Sequence, residues 1–213
     1  MRKLIVILDP AHGSDVKGKR SPDGTHLEYI WSREICKKLK DRLILNDFRV
    51  KYTNETENEI GLSKRKEIAN NIKSSPGEYK FLVSLHNNAA GDGTQWLNAK
   101  GFEIYTSKGQ TISDKFATII FNNLKKDFPG INARADYIDG DPDKESNFTV
   151  LMGNYYAVLI EWLFQDNKEE VILLKDKIIN SRLVDSLVNS LIENEHLAGR
   201  PYFRYKKVVL LMG

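Results

Sequence analysis

One stretch limits the fold more than any other: Leu4-Ile5-Val6-Ile7-Leu8, followed at once by Asp9-Pro10-Ala11-His12-Gly13. Five consecutive apolar residues, three of them β-branched, predict a strand buried on both faces, as in a parallel sheet covered by helices. Asp9-Pro10 is expected to stop that strand and let His12 turn away. In open α/β sheets, ligands bind outside the carboxyl ends of the strands. His12 is therefore delivered to the edge where function resides.

The same grammar repeats downstream. A helix is predicted from about Glu28 to Leu45, with Ile35, Leu39 and Leu43 on one face, and Phe48 to Thr53 alternates as a strand. A second helix is predicted over 61–71, closed by Ser74-Ser75-Pro76-Gly77. Phe81-Leu82-Val83-Ser84-Leu85 reads as a second buried strand, ending on His86, and Ala157-Val158-Leu159-Ile160 as a third, ending on Glu161. Between them lie a loop carrying Trp96, a short strand over 101–105, a helix over 112–126 and an acidic loop. Helices over 168–175 and 177–195 follow.

Strands alternating with helices give an α/β, single-domain, three-layer fold: a mostly parallel sheet, with mixed pairing allowed, flanked by helices. The domain is expected to occupy residues 1–198. A basic and aromatic tail, 199–213, is expected to dock on the domain or at a subunit contact.

Composition narrows the function classes. No stretch among the 213 residues approaches the ~20 apolar residues of a membrane span, so membrane insertion is not expected. Met1-Arg2-Lys3 has the charge of a signal sequence, but the apolar run after it is too short, so synthesis in the cytoplasm without a signal peptide is expected. The net charge of +3 is spread among acidic residues along most of the chain, and nucleic acid is not an expected partner. The one cysteine, Cys36, falls at helical spacing with Ile35, Leu39 and Leu43 and reads as a core or boundary residue.

If the three buried strands run parallel, His12, His86 and Glu161 converge on one edge, and Glu28 joins them from the start of the first helix. Two histidines and a carboxylate form a common ligand set of catalytic zinc, and a further carboxylate can serve as general base. Such a site suits hydrolysis of an amide without a covalent intermediate.

These residues sit in blocks that resemble a known family. Asp9-Pro10-Ala11-His12-Gly13, Gly24-x-x-x-Glu28, Leu62-x-x-Arg65-x-x-x-Ala69-Asn70, Ser84-Leu85-His86-Asn87-Asn88, Gly101-Phe102-Glu103 and Leu159-Ile160-Glu161 are similar, in this order, to the zinc-dependent N-acetylmuramoyl-L-alanine amidases of the family-3 type. Bacterial cell-wall amidases and phage endolysins share this type. The resemblance implies one Zn2+ per chain held by His12, Glu28 and His86, with Glu161 as catalytic base. It implies peptidoglycan as partner and hydrolysis of the amide between the lactyl group of N-acetylmuramic acid and L-alanine. With no signal peptide, action on the wall after release by a holin-type partner is the expected route. A zinc peptidase cutting within the stem peptide, or a non-catalytic wall-binding relative, are the alternatives.

Other residues carry expectations too. Ala11 stands where the family usually has glycine, and Asn87-Asn88 replaces the commoner Ala-Asn. Asn87, Trp96 and Arg134 are candidate substrate contacts, with loop anchoring for Trp96 and an ion pair for Arg134 as the competing roles. Asp9, Arg65 and Asn70 are expected to support the site by hydrogen bonds. His26 is expected in a loop or at the rim, His196 in solvent, and Asp139 to Glu145 as a solvated acidic loop rather than a calcium loop.

Overall fold

A computed structural model describes residues 3–198; the tail expected at 199–213 lies outside the described residues. Six strands form one sheet: β1 (Lys3–Pro10), β2 (Arg49–Tyr52), β3 (Glu78–Asn88), β4 (Phe102–Thr106), β5 (Lys144–Glu145) and β6 (Tyr156–Phe164). They lie in the order β2-β1-β3-β6-β4-β5. β2, β1, β3 and β6 run parallel, while β4 is antiparallel to β6 and carries β5 parallel to itself at the edge. The sheet is thus mixed. Five helices complete the domain: α1 (Glu28–Leu45), α2 (Leu62–Asn71), α3 (Ile112–Asp127), α4 (Lys168–Lys175) and α5 (Lys177–Ala198). Among the described residues no helix is long and apolar enough to cross a membrane.

Because side chains alternate along a strand, each sheet face can be read from the register. Leu4, Val6 and Leu8 of β1, Phe81, Val83 and Leu85 of β3, and Val158, Ile160 and Trp162 of β6 share one face. They pack with Ile35 and Leu39 of α1, Phe116 and Phe121 of α3, and Leu183 and Leu187 of α5 into the main core. Cys36 lies in this core, and burial pushes its thiol up. The opposite face is thinly covered. Ile7, Leu82, Ala157 and Leu159 meet only Ala69 of α2 and Val150 and Leu151 of a 3-10 turn (Thr149–Leu151), with Ile72, Tyr105 and Tyr155 at the margin.

The face rule then places the polar residues. Two positions beyond Ile7, Leu82 and Leu159 come Asp9, Ser84 and Glu161, and two beyond Ser84 comes His86. All point to the thinly covered face.

Two strand limits differ from expectation. β1 itself ends at Asp9-Pro10 as expected, with Pro10 still paired opposite Leu85 of β3. Leu8 uses its carbonyl on the β2 side, toward Thr53 N. Pro10, in the same phase, faces that side beyond the end of β2, where its missing N–H breaks no ladder bond. The two that differ are those at His86 and Glu161: β3 and β6 continue to Asn88 and Phe164 after a register shift between His86 and Asn88.

Candidate metal centre

His12 leaves β1 with its backbone in the left-handed region, φ +47°. For a residue with a side chain this costs on the order of 1–3 kcal/mol and persists only where the surroundings enforce it. Two guanidinium groups do so. Arg33 Nη2 and Arg65 Nη2 both donate to the His12 carbonyl oxygen, at 2.9 and 3.0 Å. Arg33 Nη1 adds a bond to Ala11 O, and Ser32 Oγ accepts from Ala11 N while donating to Leu85 O. The turn that presents His12 is therefore held on both sides.

Gly13 completes that turn for a steric reason. A methyl group there would lie 2.0 Å from Glu59 N and 2.4 Å from the Asn58 carbonyl carbon. Gly13→Ala must displace this backbone, an overpacking cost of about 1–3 kcal/mol, or a fall in melting temperature of about 2–12 °C. A melt unchanged from wild type would show that the 58–59 segment yields freely.

Arg65 is 2 % exposed and spends its donors beneath the same turn. It pairs with Glu59 through Nε and Nη2, both at 2.9 Å, and through Nη1 with Asp9 Oδ1 at 2.9 Å and with Pro10 O. Asp9 also accepts from Ser84 Oγ at 2.6 Å and from Thr53 Oγ1. Asp9 and Arg65 are thus bonded to each other, and Arg65 to the turn that presents His12. Arg65→Met strands a buried carboxylate, and breaking a pair of this kind costs about 3–5 kcal/mol. Denaturant unfolding checks it; a loss under 1 kcal/mol would contradict the pairing.

Glu28 is the first residue of α1 and is buried. Its Oε1 lies 3.1 Å from His86 Nδ1 and 3.4 Å from His12 Nε2, and accepts from Asn87 N at 3.1 Å. Its Oε2 accepts from Gln165 Nε2 at 2.8 Å. Burial raises the Glu28 pKa, but bonds to the two histidines outweigh it and hold the carboxyl well below the usual range. For His86, burial favours the neutral ring, but Glu28, Glu161 and Asp9 together more than reverse this and raise its pKa. The two rings stand edge to face, 5.1 Å apart.

One ligand atom from each of His12, Glu28 and His86 falls within 4.8 Å of the others, and no other such group is found among the described residues. Two imidazoles and one carboxylate, with outer hydrogen bonds fixing the carboxylate, suit zinc. The donor set fits the metal.

Glu161 stands beside His86 on β6 and opposite Glu103 on β4, all three on the thinly covered face. Its Oε2 is buried without a hydrogen-bond partner. Burial, with Glu28 and Glu103 adding to it and His86 opposing, pushes the carboxyl up to about 7. A carboxyl with that affinity for a proton, and a free oxygen beside the ligand cluster, is equipped to take up and release one.

The remaining candidates separate. Asn87 is turned inward, its Oδ1 2.8 Å from His26 Nε2 and its Nδ2 donating to Trp162 O at 2.8 Å, so it braces the site rather than facing substrate. His26 is accordingly buried, not at the rim, because Asn87 supplies a polar partner inside. Asn70 accepts from Asn154 N at 2.7 Å, next to the start of β6, and so ties down the end of the sheet away from the site. Trp96 lies under Lys168 Nζ, 5.8 Å from the ring centroid, on a loop sewn to Asp166 through Ala90, Gly91 and Leu97. This is the anchoring arrangement. His196 is exposed, as expected.

The acidic loop is not fully solvated. Asp143 is 1 % exposed and accepts from Thr106 Oγ1 at 2.6 Å, and burial pushes its carboxyl up to about 8. The cause is Lys144, the next residue, which joins the sheet as β5 and draws the loop onto β4. Gln165, Arg33, Glu103 and Lys144 are contributors that sequence reasoning left unassigned.

A family model described as N-acetylmuramoyl-L-alanine amidase matches residues 6–193. No protein in a search of curated proteins matches significantly. The solved structures do. An N-acetylmuramoyl-L-alanine amidase from Clostridium difficile 630 is 26 % identical, with a TM-score of 0.76, covering 91 % of this chain and 97 % of its own. The CwlD amidase of Clostridioides difficile, solved in complex with the GerS lipoprotein, is 21 % identical with a TM-score of 0.76 over 92 % of this chain and 100 % of its own. The catalytic domain of the CD27L endolysin targeting Clostridia difficile is 20 % identical with a TM-score of 0.61 over 90 % and 98 %. With the family model spanning nearly all of the domain that carries His12, Glu28, His86 and Glu161, the chain belongs to the N-acetylmuramoyl-L-alanine amidase family.

Proposed function

We propose that the protein is a zinc-dependent amidase that cleaves peptidoglycan between the lactyl group of N-acetylmuramic acid and L-alanine, acting as an endolysin or another lytic wall hydrolase. One observation carries the reading: Glu28 buried between His12 and His86, with an unpartnered oxygen of Glu161 beside them. Zinc, when bound by these three residues, polarises the carbonyl and lowers the pKa of water to about 7. Glu161 takes a proton from the attacking water and delivers it to the nitrogen of the departing alanine. Asn87 N–H and Gln165 hold Glu28 in place, and the Arg33 and Arg65 donors hold His12. The lytic role draws its support from the likeness to the endolysin catalytic domain.

Digestion of purified peptidoglycan followed by mass spectrometry tests the bond assignment. New L-alanine amino termini beside intact glycan strands are expected. Cleavage between two residues of the stem peptide would replace this reading with the zinc peptidase, and release of zinc-independent products would remove the metal.

A further inference from the structure

One element of the site has no role in holding the metal or moving a proton. Glu103, opposite Glu161 across β4 and β6, is buried and gathers two cations: Arg134 Nε at 2.8 Å and Lys144 Nζ at 2.5 Å. Asn88 Nδ2 and Tyr105 Oη donate to its other oxygen, each at 2.8 Å. Burial opposes ionisation of Glu103, but these bonds prevail and bring it down to about 2. One negative charge is thus shared by two positive ones, leaving a surplus of +1 within one strand of Glu161.

The Arg134 guanidinium is also oriented. Its Nε is fixed by Glu103 and its plane sits over the Phe164 ring, Cζ 5.1 Å from the centroid. Neither Nη atom has a hydrogen bond among the described residues, and the side chain is 35 % exposed. A guanidinium held through Nε and one face, with its two-pronged Nη edge open, is a ready receptor for a planar carboxylate.

Substrate chemistry says which carboxylate. The lactyl carboxyl of the sugar is consumed in the amide being cut, and the sugars beyond it carry neutral N-acetyl groups. The acidic groups of the substrate therefore lie on the peptide side. Neighbouring strands are about 4.8 Å apart and an extended residue spans about 3.3–3.6 Å. From an amide at Glu161, the fork beyond Glu103 is reached within one to two residues. We propose that Arg134, oriented by Glu103 and Phe164 and assisted by Lys144, binds the free carboxylate of the residue following L-alanine and selects acidic over amidated stem peptides. The proposal rests on the amidase reading above.

The test compares two substrates on the zinc-loaded protein, both N-acetylmuramoyl-L-alanyl-D-glutamyl peptides whose γ-carboxyl is joined to a third residue with an amidated C-terminus, one with a free α-carboxylate and the other its α-amide. Wild type is expected to favour the acid by at least about tenfold in kcat/KM, chiefly through KM, as a charge-assisted hydrogen bond allows. Arg134→Gln should bring the acid-to-amide ratio close to one. A wild-type ratio near one, or a ratio that Arg134→Gln leaves intact, overturns the proposal. If Arg134→Gln fails to fold, Arg134→Lys decides instead: it keeps the charge and loses the fork, so the ratio must fall, and an unchanged ratio is a refutation. Cleavage of neither substrate by wild type strikes the amidase reading itself, an outcome separate from loss of selectivity.

Discussion

Glu161→Gln is expected to keep the fold and its zinc and to lose a factor of about 10²–10⁴ in turnover, the range typical of a removed general acid–base. The amide has nearly the shape of the carboxyl but cannot accept a proton from water and return it to a departing amine. Stability should move the other way. Oε2 of Glu161 has no partner to lose, and its charge sits near the carboxylates of Glu28 and Glu103. Its raised pKa means that the folded chain resists that charge above the usual carboxylate pKa, so a neutral side chain relieves the resistance at neutral pH. The chelated variant should melt at or above chelated wild type. Turnover within tenfold of wild type, with metal content equal, would remove Glu161 as the proton carrier.

His12→Ala is expected to abolish the thermal response to zinc. A ligand present at 100 times its Kd stabilises the folded state by about 2.7 kcal/mol. At this chain length that corresponds to a rise of about 5–11 °C in melting temperature. In wild type the rise should appear on adding zinc to chelated protein. In the variant it should fall below about 2 °C, with activity lost in parallel, because Glu28 and His86 alone leave the set one nitrogen short. Replacing His12 does not relieve the left-handed backbone either, since alanine pays the same steric cost at φ +47°. A full shift in the variant would place zinc elsewhere.

The parallel half of the sheet was legible because burial on both faces writes an unbroken apolar run, as in Leu4 to Leu8. His12 and His86 were legible as candidates because each follows such a run and histidine is scarce in this chain, whereas Glu28, which opens a helix, was marked as a ligand only by the family resemblance. Glu103 was harder to assign. Its neighbour Glu161 lies across an antiparallel pairing between strands far apart in the chain, and no local pattern encodes that register. Gln165 carries no charge and stands beyond the strand, so nothing marks it as the partner of Glu28. Pro10 marked the end of β1 correctly, and because β2 had already stopped its missing N–H costs no ladder bond there. Asp143 and His26 read as solvent-facing because their buried partners, Thr106 and Asn87, come from distant segments.

The unequal cover of the two sheet faces has a consequence for how such a chain can change over time. The packing of α1, α3 and α5 against one face carries most of the apolar burial, although α1 also sends Glu28 to the candidate metal centre and Ser32 and Arg33 to the turn that presents His12. The opposite face, to which His86 and Glu161 point, takes its apolar cover only from α2 and a 3-10 turn. Arg134 and Lys144 are tied to Glu103 on β4, beside that face, and not to the main core. If Arg134 selects the peptide as proposed, substitutions there redirect which peptides are accepted and leave the packing of α1, α3 and α5 as it was. On that proposal the main apolar packing and the choice of substrate are inherited on opposite sides of one sheet.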